Sequence, residues 1–282
     1  MDILDTPNAA SKWCSQVRKD GSTLGFVPTM GALHDGHLSL VRRSIRENDR
    51  TCVSIFVNPL QFNDREDFNR YPSDSETDWR LLKNNACDMV FSGTSRDVFP
   101  EAASTDKVER IDPGPFAKGL EGHFRPGHLE GVCTVVERLF GFVGQCQAYF
   151  GEKDYQQLLV IQDLARRLGY PKIVPCPTQR DSDGLALSSR NRLLSRRQRR
   201  EALLINRALN RAQELWQSGE RNFEMLNQAM VGIMESGELE IEYAQVRDPN
   251  NWLDESNLSE HAIALIAAKA GSVRLIDNLR LS

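Results

Sequence analysis

The sequence lacks most of the features that would place it in a special class. None of its six cysteines stands in a CxxC pair. Cys14, Cys52, Cys87, Cys133, Cys146 and Cys176 are scattered, and several sit inside apolar runs such as Thr51-Cys52-Val53-Ser54-Ile55-Phe56. That excludes a zinc cluster and points to buried free thiols in a reducing compartment. No apolar run approaches the ~18 residues of a membrane span, and the start, Met1-Asp2-Ile3-Leu4-Asp5, has no signal-peptide core. A soluble, cytoplasmic protein with no membrane partner is expected. Neither GxxxxGK[ST] nor GxGxxG occurs, which removes the P-loop NTPases and the dinucleotide dehydrogenases. Charge of one sign is also missing: the net charge of −4 over 282 residues gives no overall pull toward nucleic acid or an anionic membrane. No internal repeat or low-complexity segment appears. What remains is an ordinary globular composition, 40% apolar and 26% charged, long enough for two domains.

Within that chain one stretch stands out, Pro28-Thr29-Met30-Gly31-Ala32-Leu33-His34-Asp35-Gly36-His37. It follows the apolar run Thr23–Val27, which reads as a buried strand. It precedes a segment with apolar residues at 38, 41 and 45, the spacing of an amphipathic helix. Two histidines three residues apart therefore sit at a strand-to-helix junction. A helix N-terminus offers backbone N–H groups and partial positive charge, which suits phosphate. Gly36 leaves room for close approach to the backbone, and imidazoles can donate to oxygens on which charge accumulates. Surface polarity is the plainer reading of such a pair. Half a metal site is another, although helical metal ligands usually stand four apart and need a third partner.

Read in order, residues 7–19 predict a helix, 23–28 a strand, the region from about 37 a helix, and 51–57 a β-branched central strand that stops at Asn58-Pro59. This is a right-handed βαβ unit, and ligands of such sheets bind beyond the carboxyl ends of the strands. Residues 63–71 read as surface loop. A helix follows from Tyr71–Asp74 through Lys83, then a strand at 87–91 and a short strand at 107–111. The stretch 112–131, dense in Gly, Pro, Arg and His, reads as a loop, either with 119–128 as a mobile flap over a polyanion or as a plain surface loop. A helix over 129–143, a strand ending at Gly151, a helix over 155–168 and a last strand at 172–176 complete the sheet. Gly151 is read as permitting a tight exit from its strand. Lys153 can place a point charge on phosphate, and Asp154 can accept from a ribose hydroxyl or help hold Mg²⁺; a solvated strand-end cap is the plainer reading of such a pair. The loop Gln179–Asn191, with its hydroxyls and Arg190, reads as a cradle for phosphates. The basic run Ser195–Arg200 opens a long helix and reads as a solvated face. A second helix over 223–234 and strands near 240–246, 262–268 and 272–277 make a small α+β domain. The fold class is thus α/β: a Rossmann-like parallel-sheet domain over 1–182, with a smaller C-terminal α+β domain over 183–282.

Four motifs carry a resemblance that spans nearly the whole chain. His34-Asp35-Gly36-His37 is the HxGH pattern of adenylate-forming nucleotidyltransferases, and PTMGALHDGH is more specific. FVNPLQF, FGEKDYQQL and DGLALSSRN follow in the same order. Together they resemble the pantothenate synthetases (pantoate–β-alanine ligases).

That resemblance implies ATP-dependent condensation of pantoate with β-alanine through a pantoyl adenylate, with Mg²⁺ and with AMP and pyrophosphate as products. It implies ATP contacts at Met30, Gly31, Ala32, Leu33, His34, Asp35, Gly36 and His37, at Gly151, Glu152, Lys153 and Asp154, and at Gln179, Leu187, Ser188, Ser189 and Arg190. The last group corresponds to the mobile lysine-serine loop of class I aminoacyl-tRNA synthetases. It implies pantoate contacts at Gln61 and Gln157, catalytic roles for His37, His34 and Lys153, and a homodimer formed through the N-terminal domain. Leu187 stands where many members have Met, and Gln179 where Val is common; the metal ligands stay undefined. Two other readings compete. Another HxGH adenylyltransferase, acting on a phosphate acceptor, would lack GEKDYQQL. A non-catalytic nucleotide- or RNA-binding module using 195–200 would not need polar residues in every motif.

Overall fold

A computed structural model describes residues 1–63, 65–102, 104, 107–253 and 261–282. The chain forms two compact units, one of residues 1–152 with 156–177, the other of 153–155 with 178–282.

The first unit is a six-stranded parallel sheet flanked by helices. Its strands are β1 (Asp2–Leu4), β2 (Leu24–Thr29), β3 (Arg50–Ile55), β4 (Met89–Phe91), β5 (Gln147–Gly151) and β6 (Lys172–Cys176), in the order β1-β4-β3-β2-β5-β6. The order reverses between β2 and β5, the place where open α/β sheets part to admit ligands. The sequence explains the parting. β2 pairs with β3 along its full length, but with β5 only at Gly25 and Phe26. Pro28, with no N–H to extend a ladder, lies two residues beyond the last β5 partner.

The helices form where capping and periodicity agree. Thr6 caps α1 (Pro7–Lys19), with Pro at its first position. α2 (Asp35–Glu47) buries Leu38, Leu40, Val41 and Ser44 against the sheet. Asp74 caps α4 (Ser75–Asn84), which buries Asp78 and Leu82. α7 (His128–Val143) is buried along most of its length, and α8 (Tyr155–Leu168) follows β5. The far end of α2 is pinned. Arg43 donates to the Pro175 carbonyl at 2.6 Å, and the Tyr149 hydroxyl donates to Glu47 at 2.9 Å while accepting from Asn48 at 2.7 Å. Burial and the Glu47 carboxylate push the Tyr149 hydroxyl up, so it stays a neutral donor.

Several expectations are corrected. Residues 65–70 form a helix, α3 (Arg65–Arg70), where loop was expected. Among the described residues 107–111 contain no strand; this segment runs over α7 instead, and the Ile111 N–H donates to Thr134 at 3.0 Å. The 112–131 loop contains a further helix, α6 (Leu120–Phe124), after α5 (Ser95–Val98), and α7 begins inside it. β1 was not expected; three residues are too few to show a period, and it is specified by pairing with β4. Gly151 is not demanded by its backbone, since a Cβ there meets nothing within 4 Å.

In the second unit α9 (Arg196–Gln217) and α10 (Phe223–Met234) pack on an antiparallel meander of β7 (Glu240–Arg247), β8 (Ala262–Ala270) and β9 (Val273–Leu281). Ser195 closes a capping box with Gln198 at the start of α9. The basic face of α9 is tied internally: Arg197 pairs with Glu238, and Arg199 with Asp181 and Asp183.

All six cysteines are unpaired, and only Cys146 is more than marginally exposed. Burial pushes the thiols of Cys87, Cys133 and Cys146 up to about 12. Very little thiolate is then present at pH 8, so iodoacetamide should label the native protein at these positions at least ~100-fold more slowly than in denaturant. Peptide mapping of labelled native and unfolded protein measures this; rapid native labelling of Cys133 would contradict it.

Candidate active site

The HDGH stretch sits at the end of β2, beside the parting from β5. Two successive residues take left-handed backbone: Gly31 at φ +80° and Ala32 at φ +49°. For Ala32 that conformation costs on the order of 1–3 kcal/mol and must be held by its surroundings. It is held by Asp78 of α4, which is 2% exposed. One carboxylate oxygen accepts from the Ala32 N–H at 2.9 Å, the other from the Leu33 N–H at 2.8 Å. Gly31 is required beside them, because a Cβ would lie 2.9 Å from the same carboxylate. Its own N–H donates to the Thr29 hydroxyl, which donates to the Ser54 carbonyl.

His34 then caps α2. Its Nδ1 accepts from the Gly36 N–H at 3.1 Å, which leaves Nε2 as the nitrogen that carries a proton in the neutral ring. The His34 and His37 rings lie 4.1 Å apart between centroids, tilted by 38°. Both imidazoles thus belong to the first turn of one helix, where the backbone dipole favours negative charge.

Gln61 lies in the turn Pro59–Gln61 after β3 and is held from three sides. Its side-chain carbonyl accepts from Asn58 at 2.9 Å, and its amide nitrogen donates toward the Met30 sulfur at 3.1 Å. Its main-chain carbonyl accepts from His128 Nδ1 at 2.8 Å and from Arg125 at 3.2 Å. Since Arg125 also donates to His128 Nε2 at 2.9 Å, the His128 proton is placed on Nδ1. Asn58 is 1% exposed and spends its other donor on the Gly131 carbonyl at 3.0 Å. The expected flap is anchored at its base. Gln156, buried beside Gln157, donates to the Phe116 and Gly119 carbonyls at 2.9 and 3.1 Å and accepts from the Glu121 N–H at 2.9 Å. Gln157 itself lies half-buried in the first turn of α8.

Most of the remaining candidates belong to the second unit. The GEKD motif is divided: Gly151 and Glu152 lie in the first unit, while Lys153 and Asp154 go with the second. Asn278 of β9 donates to the Lys153 carbonyl at 2.8 Å, and Arg280 donates to the Tyr155 hydroxyl at 3.0 Å. Lys153 and Asp154 pair at 3.6 Å, with the Asp154 carboxylate 46% exposed. Within the loop 179–191, residues 179–187 fold back on themselves. Leu187 N–H donates to the Gln179 carbonyl at 2.9 Å, and Arg180 bridges to Ala186. Arg180 forks onto the buried Asp277 at 2.5 and 2.9 Å. Burial pushes the Asp277 carboxyl up; the Arg180 guanidinium and the Asn278 N–H oppose that shift. Ser188 caps the 3-10 turn Ser189–Leu193, which carries Ser189 and Arg190.

Sequence reasoning named His34, His37 and Gln61 and missed what fixes them. Asn58 stood within the quoted motif and could have been found by its position beside Gln61. Gln156 likewise stood within FGEKDYQQL beside Gln157, and Arg125 and His128 within the stretch 119–128, but their partners lie 35, 64 and 67 residues away; Asp78 stood in no motif, and its partner lies 46 residues away.

The parallel sheet with its switch point and the paired histidines, His34 capping the next helix and His37 in its first turn, define a nucleotidyltransferase-type α/β enzyme. A family model for pantoate-beta-alanine ligase matches residues 2–280, and the chain belongs to that family. The pantothenate synthetase of Rubrobacter xylanophilus is 46% identical, over 99% of this chain and 98% of its own. A crystal structure of pantothenate synthetase from Thermus thermophilus superposes with a TM-score of 0.90 at 40% identity, covering 99% of both chains. The Francisella tularensis pantoate-beta-alanine ligase, complexed with beta-gamma ATP and beta-alanine, gives 0.81 at 34% identity, over 99% of this chain and 97% of that one.

Gly131 sets how closely α7 approaches the Gln61 turn, since a Cβ there would lie 2.2 Å from the Leu60 carbonyl oxygen. Gly131→Ala should destabilise the fold by about 1–3 kcal/mol and displace Asn58 from the Gly131 carbonyl. Urea unfolding measures the first effect. A variant with an unchanged midpoint would show that this approach is not tight.

Proposed function

We infer that this chain joins pantoate to β-alanine at the expense of ATP, by way of a pantoyl adenylate. A pantoate carboxylate oxygen attacks the α-phosphorus, and the bond to the β-phosphate oxygen breaks to release pyrophosphate. The β-alanine amine then attacks the acyl carbon. The carbon–oxygen bond to AMP breaks, and the amine gives up a proton. No covalent enzyme nucleophile is needed; the protein aligns the reactants and meets the charge that develops. The observation that carries this reading is the His34–His37 pair, rings 4.1 Å apart on the first turn of α2, in a chain of this family.

In the first unit, His37 and His34 are proposed to donate to the α-phosphate region, with the 30–37 backbone around the nucleotide. Gln61 and Gln157 are proposed to hold the hydroxyl and carboxylate of pantoate, for which an amide offers both donor and acceptor. In the second unit, Lys153, Ser188, Ser189 and Arg190 supply donors suited to phosphate oxygens, and Gln179 and Leu187 flank the base. Mg²⁺ is proposed to arrive with ATP. Asp154, a half-exposed hard-oxygen donor, suits an ion that keeps its waters and takes one or two carboxylates beside phosphate. When bound, Mg²⁺ neutralises charge on the leaving pyrophosphate.

The division of labour proposed is a nucleotide- and pantoate-binding domain over 1–182 and a lid domain over 183–282. A cytoplasmic location is supported by the unpaired thiols; among the described residues no helix is long and apolar enough to cross a membrane. A homodimer is proposed from the family resemblance. Light scattering in solution should give twice the chain mass, and a monomer at micromolar concentration would count against it.

Pyrophosphate exchange into ATP should require pantoate and Mg²⁺ but not β-alanine. Exchange seen only with a phosphorylated acceptor would remove this reading in favour of another adenylyltransferase. His37→Ala and Lys153→Ala should each slow single-turnover adenylation ~10²–10³-fold. Gln61→Ala and Gln157→Ala should lower kcat/KM for pantoate roughly 5- to 150-fold, while binding of a non-hydrolysable ATP analogue stays unchanged.

A further inference from the structure

The backbone at Gly31-Ala32-Leu33, with positive φ at Gly31 and Ala32, turns the N–H groups of Ala32 and Leu33 toward one carboxylate; the two donors form a small nest that favours an anion. In a protein that handles a polyphosphate, such a nest one residue before the capping histidine invites phosphate. Here it is already filled. Asp78 puts one carboxylate oxygen on the Ala32 N–H at 2.9 Å and the other on the Leu33 N–H at 2.8 Å. The carboxylate comes from α4, 46 residues away, and is 2% exposed. Behind it lies a cavity of ≈ 270 Å³, lined by Gly31, Asp78, Ser75, Ser92 and Thr94 among others.

We propose that Asp78 is a positioning residue for adenylation: its carboxylate serves as a built-in anion that occupies the nest, fixes the strained Ala32 backbone, and denies the nest to the triphosphate. The triphosphate is then left to the first turn of α2, where His34 and His37 stand. This rests on the adenylate-forming reading given above.

Two properties separate this role from plain structural support. First, only a carboxylate accepts from both N–H groups; an amide of the same shape offers one acceptor oxygen and turns a donor toward the second N–H. Second, the position wants an anion, not a particular side chain. A truncated residue 78 leaves room beside the nest, and the adjoining cavity gives a small carboxylate a route to it. Removing the carboxylate also takes a negative charge away and uncovers two donors, so ATP binding should hold or tighten while the chemical step slows.

The test is pantoate-dependent pyrophosphate exchange and single-turnover adenylation in Asp78→Asn and Asp78→Ala, with and without formate. Asp78→Asn should lose about 10- to 100-fold in the adenylation rate, with the KM for ATP unchanged or lower and the thermal midpoint within a few degrees of wild type. Asp78→Ala should lose about 10²- to 10³-fold, and tens of millimolar formate should restore at least tenfold, with chloride at equal ionic strength restoring nothing. Wild-type rates in Asp78→Asn would overturn the proposal. So would an Asp78→Ala variant that folds but ignores formate, or a loss in both variants that follows a collapse of the thermal midpoint. Wild-type exchange is the control: its absence would sink the ligase reading itself, whereas wild-type exchange with a fully active Asp78→Asn sinks only the role of Asp78.

Discussion

The end of β2 is the constraint on which the first unit depends. Up to Phe26 the strand is shared between β3 and β5; beyond it only β3 remains as a partner. Pro28 cannot continue a ladder on the lost side. The chain therefore leaves the sheet with one edge open, at the point where the strand order reverses. The left-handed turn at Gly31 and Ala32, the carboxylate that holds it and the histidine that caps α2 all meet the chain within six residues of that proline. Had Pro28 been an ordinary strand residue, the β2–β5 ladder could run on and close the crevice.

The side chains proposed to carry the chemistry are each supported by a polar group outside that proposal. His34 is oriented by the Gly36 N–H, the loop before it by Asp78, and Gln61 by Asn58, His128 and Arg125. Asp78, Asn58 and His128 are buried, and a buried polar group costs more when broken than it contributes when made. The result is a set of groups fixed before substrate arrives, which is what electrostatic stabilisation of a developing charge requires. The anchoring of 116–121 by Gln156 works in the same way. It restrains the base of a segment whose Gly, Arg and His content had read as a loose flap.

The second unit shows how one residue type can carry different duties. Arg180 forks onto a buried aspartate and builds the unit, Arg197 and Arg199 tie the start of α9 to acidic neighbours, and Arg190 rides on a short 3-10 turn. A tally of basic residues over 180–200 cannot sort these. Pairing does, and it reduces the run 195–200 from a cationic patch to a partly neutralised helix start.

The sequence by itself determined what local rules govern. The helices at 7–19, 155–168 and 223–234 and the strand at 172–176 follow periods and breakers in their own stretch of chain, and the structure has them at those bounds. The HDGH stretch was legible because histidine spacing, a preceding apolar strand and a following amphipathic helix all lie within some twenty consecutive residues. Tertiary structure alone decided the rest. β1 exists only through β4, the segment 107–111 forms no strand because it packs on α7 rather than on a sheet edge, and α6 is stabilised by Gln156 from another helix. Asp78 illustrates the limit best: in sequence it is one more aspartate on an amphipathic helix, and its meaning comes entirely from two backbone N–H groups 45 and 46 residues away. Local patterns record what a residue does to its neighbours in the chain; a hydrogen bond closed across the fold leaves no mark at either end.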